Sequence, residues 1–224
     1  MNSPEESGSA KPKRKIKKWP IVTGALIVVV AAGIGGFIWH EQPAFCGAIC
    51  HTPMDAYLAT FESEPGVAGT DKWGNAVENT SGMLSVTHNA HGKTCLNCHE
   101  PTIGEQINEG IKWVSGDYVF PLEEHTLTDL TAARGATADE FCLNDSCHHL
   151  ASDGTVIKTR ADLEATTAHL SRNPHVAQHQ EFDCGTCHKA HRSSVMYCSS
   201  CHADSEIPAG WVSGQEELTL SAAR

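Results

Sequence analysis

Apolar residues are concentrated at one end of the chain. Between Trp19 and Trp39 no side chain is charged, and residues 21–38 are almost wholly Ile, Val, Ala, Leu and Gly. At about 1.5 Å per helical residue this stretch reaches roughly 30 Å, the depth of a bilayer's hydrocarbon layer. Trp19 and Trp39 stand where interfacial aromatics belong. The pattern predicts one transmembrane helix over residues 19–39. Lys11, Lys13, Arg14, Lys15, Lys17 and Lys18 precede it. A basic cluster on that side keeps residues 1–18 in the cytoplasm and sends residues 40–224 across the cytoplasmic membrane as an extracytoplasmic domain. Such a run also suits a nucleic-acid patch, but the apolar span that follows gives it a membrane role. A cleaved signal peptide is the competing reading; the apolar run is longer than a signal core, and no Ala-x-Ala site is evident.

Past residue 40 the periodicity is short and broken. Residues 62–83 are polar, with Gly66, Gly69, Gly74 and Gly82, and read as a surface loop. Ile103 to Phe120 reads as a helix with Ile107, Ile111 and Val114 on one side. Thr137-Ala-Asp-Glu140 has the form of a capping box leading into Phe141 and Cys142. Arg160 to Arg172 reads as a helix that must stop at Asn173-Pro174. Strand signals are sparse, so the expected fold class is mainly α and irregular.

The cysteines change the picture. All ten fall into five pairs, and the second member of each is followed by histidine. Three pairs have two residues between the thiols: Cys95/Cys98 before His99, Cys184/Cys187 before His188, and Cys198/Cys201 before His202. Cys46/Cys50 before His51 and Cys142/Cys147 before His148 have three and four. In a Cys-x-x-Cys-His unit two thiols add to the vinyl groups of a haem and the imidazole ligates its iron. Zinc also takes paired thiolates, but does not require His after every second Cys. Disulfides suit an exported domain, yet a two-residue ring is strained and would not recur. Five covalently bound haem c groups are therefore expected.

Composition agrees. With 6% aromatics the domain could not build an ordinary core for its length, so porphyrins must serve as core. Five proximal histidines leave nine of the 14, enough to give four or five irons a second imidazole. His88, His91, His125, His169, His175, His179 and His191 are the candidates, and His149 reads as an exposed neighbour of His148. Met54, three residues after His51, offers a thioether to the first iron or packs as an ordinary apolar side chain; His51 and Met54 both stand as its ligands. Iron closed on both sides changes charge without binding substrate, which points to electron transfer. Lys112 and Asp117 read as a solvated face or as proton-handling groups beside a quinol. From residue 40 onward 10 basic residues face 25 acidic ones, a balance that steers toward basic protein surfaces and away from nucleic acid.

The anchor, the first attachment pair just outside it, Met54, and the helix carrying Lys112 and Asp117 resemble the NapC/NirT family of membrane-anchored multihaem quinol dehydrogenases, which includes the small subunit of the haem nitrite reductase complex. The resemblance implies Met54 as first-haem ligand, Lys112 and Asp117 at a quinol site, and menaquinol as reductant. Here the first thiol interval and the His51-to-Met54 interval are each one residue longer than in that family, which usually has four haems. The last third, from Asn173-Pro-His175 through His179, Cys184, Cys187, His188 and His191 to Tyr197-Cys198 and Cys201-His202, looks like the tetrahaem domain of flavocytochrome fumarate reductases. That resemblance implies that His175 caps the haem of His148, His179 that of His188 and His191 that of His202, and it hints at a separate exported flavoprotein reductase as partner. The expected function is a quinol-oxidising electron relay in anaerobic respiration, with a carrier reduced by another membrane complex as the alternative.

Overall fold

The computed structural model describes residues 18–120, 124–132, 134–145, 147–148 and 156–222, with the side chain of His51 left aside. Most of the basic tail, residues 1–17, and His149 lie outside the described residues. The chain divides into two units that meet between His40 and Glu41. The first contains α1, Trp19–His40, which is long and apolar enough to cross a membrane. Pro20 is tolerated in its first turn, where the missing N–H would have no intrahelical acceptor.

The second unit is helical and irregular, as the broken periodicity predicts. In chain order it contains α2 (Pro43–Ile49), α3 (His51–Phe61), a two-residue antiparallel pair β1 (Gly69–Thr70) and β2 (Ala76–Val77), then α4 (Leu84–Ala90), α5 (Cys95–Cys98) and α6 (Ile103–Ser115). There follow α7 (Leu127–Ala132), α8 (Ala138–Cys142), α9 (Arg160–Thr166), α10 (Cys184–Cys187), β3 (Val195–Met196), which pairs in parallel with β4 (Val212–Ser213), and α11 (Gly214–Ala222). Short helices need their exposed N–H groups satisfied. Capping boxes do this at Thr94/Asn97, Thr102/Glu105, Thr137/Glu140 and Thr159/Asp162. Of these the sequence motif singles out Thr137/Glu140.

Side-chain packing is thin. Among the described residues one apolar cluster is fully enclosed, Val77, Met83 and Val86, far less than a domain of this length needs from its own side chains. The remaining interior must be supplied by something other than side chains.

Three segments differ from expectation. Residues 62–83 are not a plain surface loop: Asp71, Lys72, Thr80 and Met83 are buried. Asp71 folds the turn by accepting from the N–H groups of Trp73 and Asn75 and from the Asn75 side chain. The segment is stitched to residues 189–194 by backbone bonds from Lys72 to His191, Leu84 to Lys189, Ser85 to Ala190 and Ser194 to Gly82. A Cβ at Gly82 would lie 1.9 Å from the carbonyl oxygen of Gly210, so only glycine permits this closure. Second, α6 stops at Ser115 rather than running to Phe120. Gly116 turns left-handed (φ 74°), and the Asp117 and Gly116 N–H groups bond the carbonyls of Lys112 and Trp113, a Schellman ending. Third, α9 ends at Thr166, well short of Asn173-Pro174. Thr166 and Thr167 bond the carbonyls of Asp162 and Leu163, and Asn173 folds back to Glu164, so local side-chain bonds replace further helical turns.

Arg192 ties the far end of the chain to residue 124. It is 5% exposed, its Nε lies 2.9 and 3.0 Å from the Glu124 carboxylate oxygens, and its Nη1 lies 3.0 Å from Glu217 of α11. Burial alone would raise the Glu124 pKa; the Arg192 hydrogen bonds and charge, with Lys72 and Lys189, outweigh it and hold it below 4.5. Arg192→Ala is expected to cost roughly 3 kcal/mol, the low end for a broken buried pair, because Glu124 keeps a third of its exposure. Thermal unfolding followed by circular dichroism measures this. A depressed carboxyl pKa stabilises the fold above its unfolded value and loses that contribution as pH falls through the folded one. The difference between wild type and variant should therefore shrink below about pH 4.

Candidate functional site

The attachment pairs are built by single turns. α5 and α10 each run from one cysteine of a pair to the other, which puts sulfurs three residues apart on one face. Asp183 starts α10 by accepting from the Gly185 N–H at 2.7 Å. Cys142 closes α8, and Cys46 lies in α2 with Cys50 at the junction before α3. All ten sulfurs are unbridged, and among the described residues no three His, Cys, Asp or Glu side chains converge as a metal cluster. The thiols form a string instead. Burial raises Cys46, Cys98 and Cys187, and each also feels a thiol of the next pair, Cys95, Cys147 and Cys198 respectively. Cys142 hydrogen-bonds Cys184, which raises the first and lowers the second. The five pairs thus succeed one another in space in the order they occupy in the chain.

Imidazoles meet in twos. His99 and His191 have ring centroids 6.4 Å apart, His175 and His188 6.4 Å, His179 and His202 6.0 Å, and His88 and His148 6.2 Å. Rings packed for contact would lie closer. A metal–imidazole bond is about 2 Å, and the ligating nitrogen sits about 1.1 Å from the ring centre, so two imidazoles on opposite sides of one iron have centroids roughly 6.3 Å apart. Each pair contains one histidine that directly follows a cysteine pair. The residues present therefore fit haem c. The first three pairs have ring planes 27°, 5° and 15° apart, whereas His88 and His148 are near perpendicular at 80°.

Hydrogen bonds fix which nitrogen faces inward. The buried Thr60 hydroxyl donates to the Tyr57 carbonyl at 2.8 Å, so it can only accept from His191 Nδ1, 2.7 Å away. Thr167 donates to Leu163 O or Asn173 Oδ1 and accepts from His175 Nδ1 at 3.0 Å. His88 Nδ1 donates to the Leu84 carbonyl at 2.7 Å. In all three the proton is on Nδ1, leaving the Nε2 lone pair for a metal, the usual outer-shell device for orienting a ligand. Burial first, then neighbouring positive groups, pushes His188 down to about 4 and His191 to about 3, so both are neutral and competent to ligate at pH 7.

These pairings differ from those the resemblance implies. His175 faces His188, not His148; His179 faces His202, not His188; His191 faces His99, not His202. The cause for His191 is its anchorage to Thr60 and, through its carbonyl, to Lys72, which hold it beside α5. His91, His125 and His169 are exposed, and none faces an imidazole among the described residues; His169 instead bonds the Thr166 carbonyl. Met54 lies in α3, one turn beyond His51, and is half-buried. Lys112 and Asp117 are both exposed and meet through backbone only, Asp117 lying past the end of α6. Sequence reasoning missed Thr60, Thr167 and Asn173 as positioning residues, and nothing in their spacing signals them.

Comparison with known proteins agrees with this chemistry. Residues 124–203 match the cytochrome c3 family, the stretch that holds three of the five attachment pairs. The cytochrome c-type protein Cgr1 of Eggerthella lenta is 55% identical over 213 residues, covering 95% of each chain. No solved structure matches. A cytochrome c3-type domain carries covalently bound haem c. The chain belongs to the family of c-type cytochromes represented by that relative, and is an electron carrier.

Proposed function

We propose that this chain is a membrane-anchored pentahaem cytochrome that oxidises menaquinol at its anchor-proximal end and delivers electrons to an extracytoplasmic flavoprotein reductase in anaerobic respiration. Residues 1–18 stay in the cytoplasm, and α1 fixes the domain to the cytoplasmic membrane. The observation that carries the reading is the set of four facing imidazole pairs at iron-spanning distance. Bound at each cysteine pair, an iron porphyrin supplies a one-electron couple. The chain's residues would do the rest: the cysteines would fix the macrocycle, His99, His148, His188 and His202 would each hold an iron, and His191, His88, His175 and His179 would supply the second imidazoles, while Thr60, Thr167 and the Leu84 carbonyl hold three of those rings in place. For the pair at Cys46 and Cys50, His51 and Met54 are the ligand candidates. Kinship with the NapC/NirT quinol dehydrogenases rests on the anchor, the attachment pair that follows it closely, and Lys112 and Asp117 as quinol-side groups.

A carrier without quinol chemistry is the second reading. It is favoured by the exposed position of Asp117 beyond the helix that carries Lys112.

Adding a reduced menaquinol analogue to membranes containing the protein should bleach its oxidised spectrum, and Lys112→Ala with Asp117→Asn should slow this severalfold. Reduction by another membrane complex but not by the quinol selects the second reading. Pyridine haemochrome titration should give five haems per chain, with four if Cys142/Cys147 is replaced by serine at both positions.

Perpendicular imidazole planes leave two iron d orbitals nearly degenerate. Low-spin electron paramagnetic resonance should therefore contain one highly anisotropic signal, from the His88/His148 site, beside rhombic signals from the near-parallel sites; His88→Met should remove it. Thr60→Val withdraws the acceptor from His191 Nδ1 and makes the ring a weaker donor to oxidised iron. A hydrogen bond worth about 1 kcal/mol corresponds to roughly 40 mV in a one-electron couple. Spectropotentiometry should find one of the midpoints raised by about that amount.

A further inference from the structure

Helix α6 has 13 residues, and the chain's own atoms bury none of them. A helix of that length is marginal in water unless an apolar face is covered. Ile107, Ile111 and Val114 form such a face, at helical spacing. They do not open onto bare surface. Together with Trp113, Gly110 and, across from them, Ile49 of α2, they line a hollow of about 650 Å³, a size common among clefts that hold cofactors.

The surroundings of the hollow identify its occupant. Ile49 is the last residue of α2 and directly precedes Cys50, so this wall lies inside the first attachment pair, between Cys46 and Cys50. A group bonded to Cys50 therefore begins at the rim. Glu109, one turn before Trp113, reaches the same pair: burial first and then the Glu109 charge raise Cys50, and Glu109 adds to burial and the neighbouring thiols at Cys46. Gly110 falls within the apolar stripe at mid-helix, where glycine costs about 1 kcal/mol relative to alanine. A Cβ there would meet nothing within 4 Å, so no part of the polypeptide requires glycine at this point. A flat group brought close to the helix backbone does.

The lining also favours a ring system whose faces need no hydrogen bonds. Its polar side chains are Gln106 and Ser115, and the Ser115 hydroxyl already donates to the Lys112 carbonyl at 3.1 Å. A quinol ring would bring two oxygens that need partners, whereas the face of a porphyrin brings none.

We propose that the hollow between Ile49 and α6 is the seat of the haem carried by Cys46 and Cys50, with Ile107, Ile111 and Val114 against the macrocycle and Gly110 at the closest approach of the helix. The proposal rests on the reading of that pair as a haem attachment site. It assigns α6 a covering role and leaves ligation to α3, where His51 and Met54 stand. The apolar face of α6 is then interior in the holoprotein.

The test fills the hollow from the helix side in the full-length holoprotein. Leucine is a better helix former than glycine and no chain atom opposes a side chain at residue 110, so Gly110→Leu should leave the polypeptide intact and disturb only what occupies the hollow. Intact mass should fall from five haems to four, with Cys46 and Cys50 recovered as unreacted thiols in peptide mapping. Where attachment survives, one of the five reduction midpoints should move while the other four stay in place. Five haems with five unchanged midpoints overturn the proposal. If that same variant is reduced severalfold more slowly by a menaquinol analogue, the hollow holds the quinol ring instead, and the proposal is equally overturned. Wild-type protein whose Cys46 and Cys50 carry no haem removes the pentahaem reading and this proposal together; a haem on that pair that ignores Gly110→Leu removes this proposal alone.

Discussion

The structure depends on keeping imidazole rings apart. An ordinary core brings apolar side chains into van der Waals contact, but here four pairs of rings face each other with centroids 6.0 to 6.4 Å apart, a gap that costs contact energy unless something fills it. The small cluster of Val77, Met83 and Val86 cannot offset such gaps. Polar contacts hold the rings instead, and the hydroxyls of Thr60 and Thr167 matter more to this fold than most of its leucines.

The pairing also explains the connectivity. His191 follows His188 by three residues but faces His99, and His88 faces His148. Facing rings therefore come from distant segments, and neither of these two pairs is made within a local stretch of chain. The backbone bonds from residues 72–85 to residues 189–194, the Gly82/Gly210 closure and the Arg192 clamp on Glu124 and Glu217 serve the same end. They bring the last third of the chain against the first, so that a ring contributed late is available to an attachment pair contributed early. Folding and ligation are in this sense one process.

What was legible in the sequence follows from how local each feature is. The cysteine pairs and their following histidines are covalent neighbours, and the apolar span is a run of consecutive residues; both can be read directly. So could the end of α6 have been, since Gly116 after Lys112-Trp113-Val114-Ser115 is the residue a left-handed helix terminus requires. The distal ligands are different. Their partners are set by tertiary register, and the closing run of a similar family proved a poor guide to it because Thr60, 131 residues from His191, decides where that ring goes. The early end of α9 was hidden for a related reason: Thr167 is an acceptable helix residue until Asn173 folds back and offers its hydroxyl another partner.

The fixed tautomers bear on how such a chain carries electrons. Catalysis at an iron needs an open coordination position, or a ligand free to leave. A ring whose Nδ1–H is committed to a buried threonine or a helix carbonyl cannot turn away without leaving that group unpaired, which costs more than the hydrogen bond itself contributes. The same restraint keeps ligand geometry alike when the charge on the other side of the ring changes. With one ring of a facing pair so held, little has to rearrange between oxidation states, and each step along the string of attachment pairs becomes a transfer of charge with almost no movement of the chain.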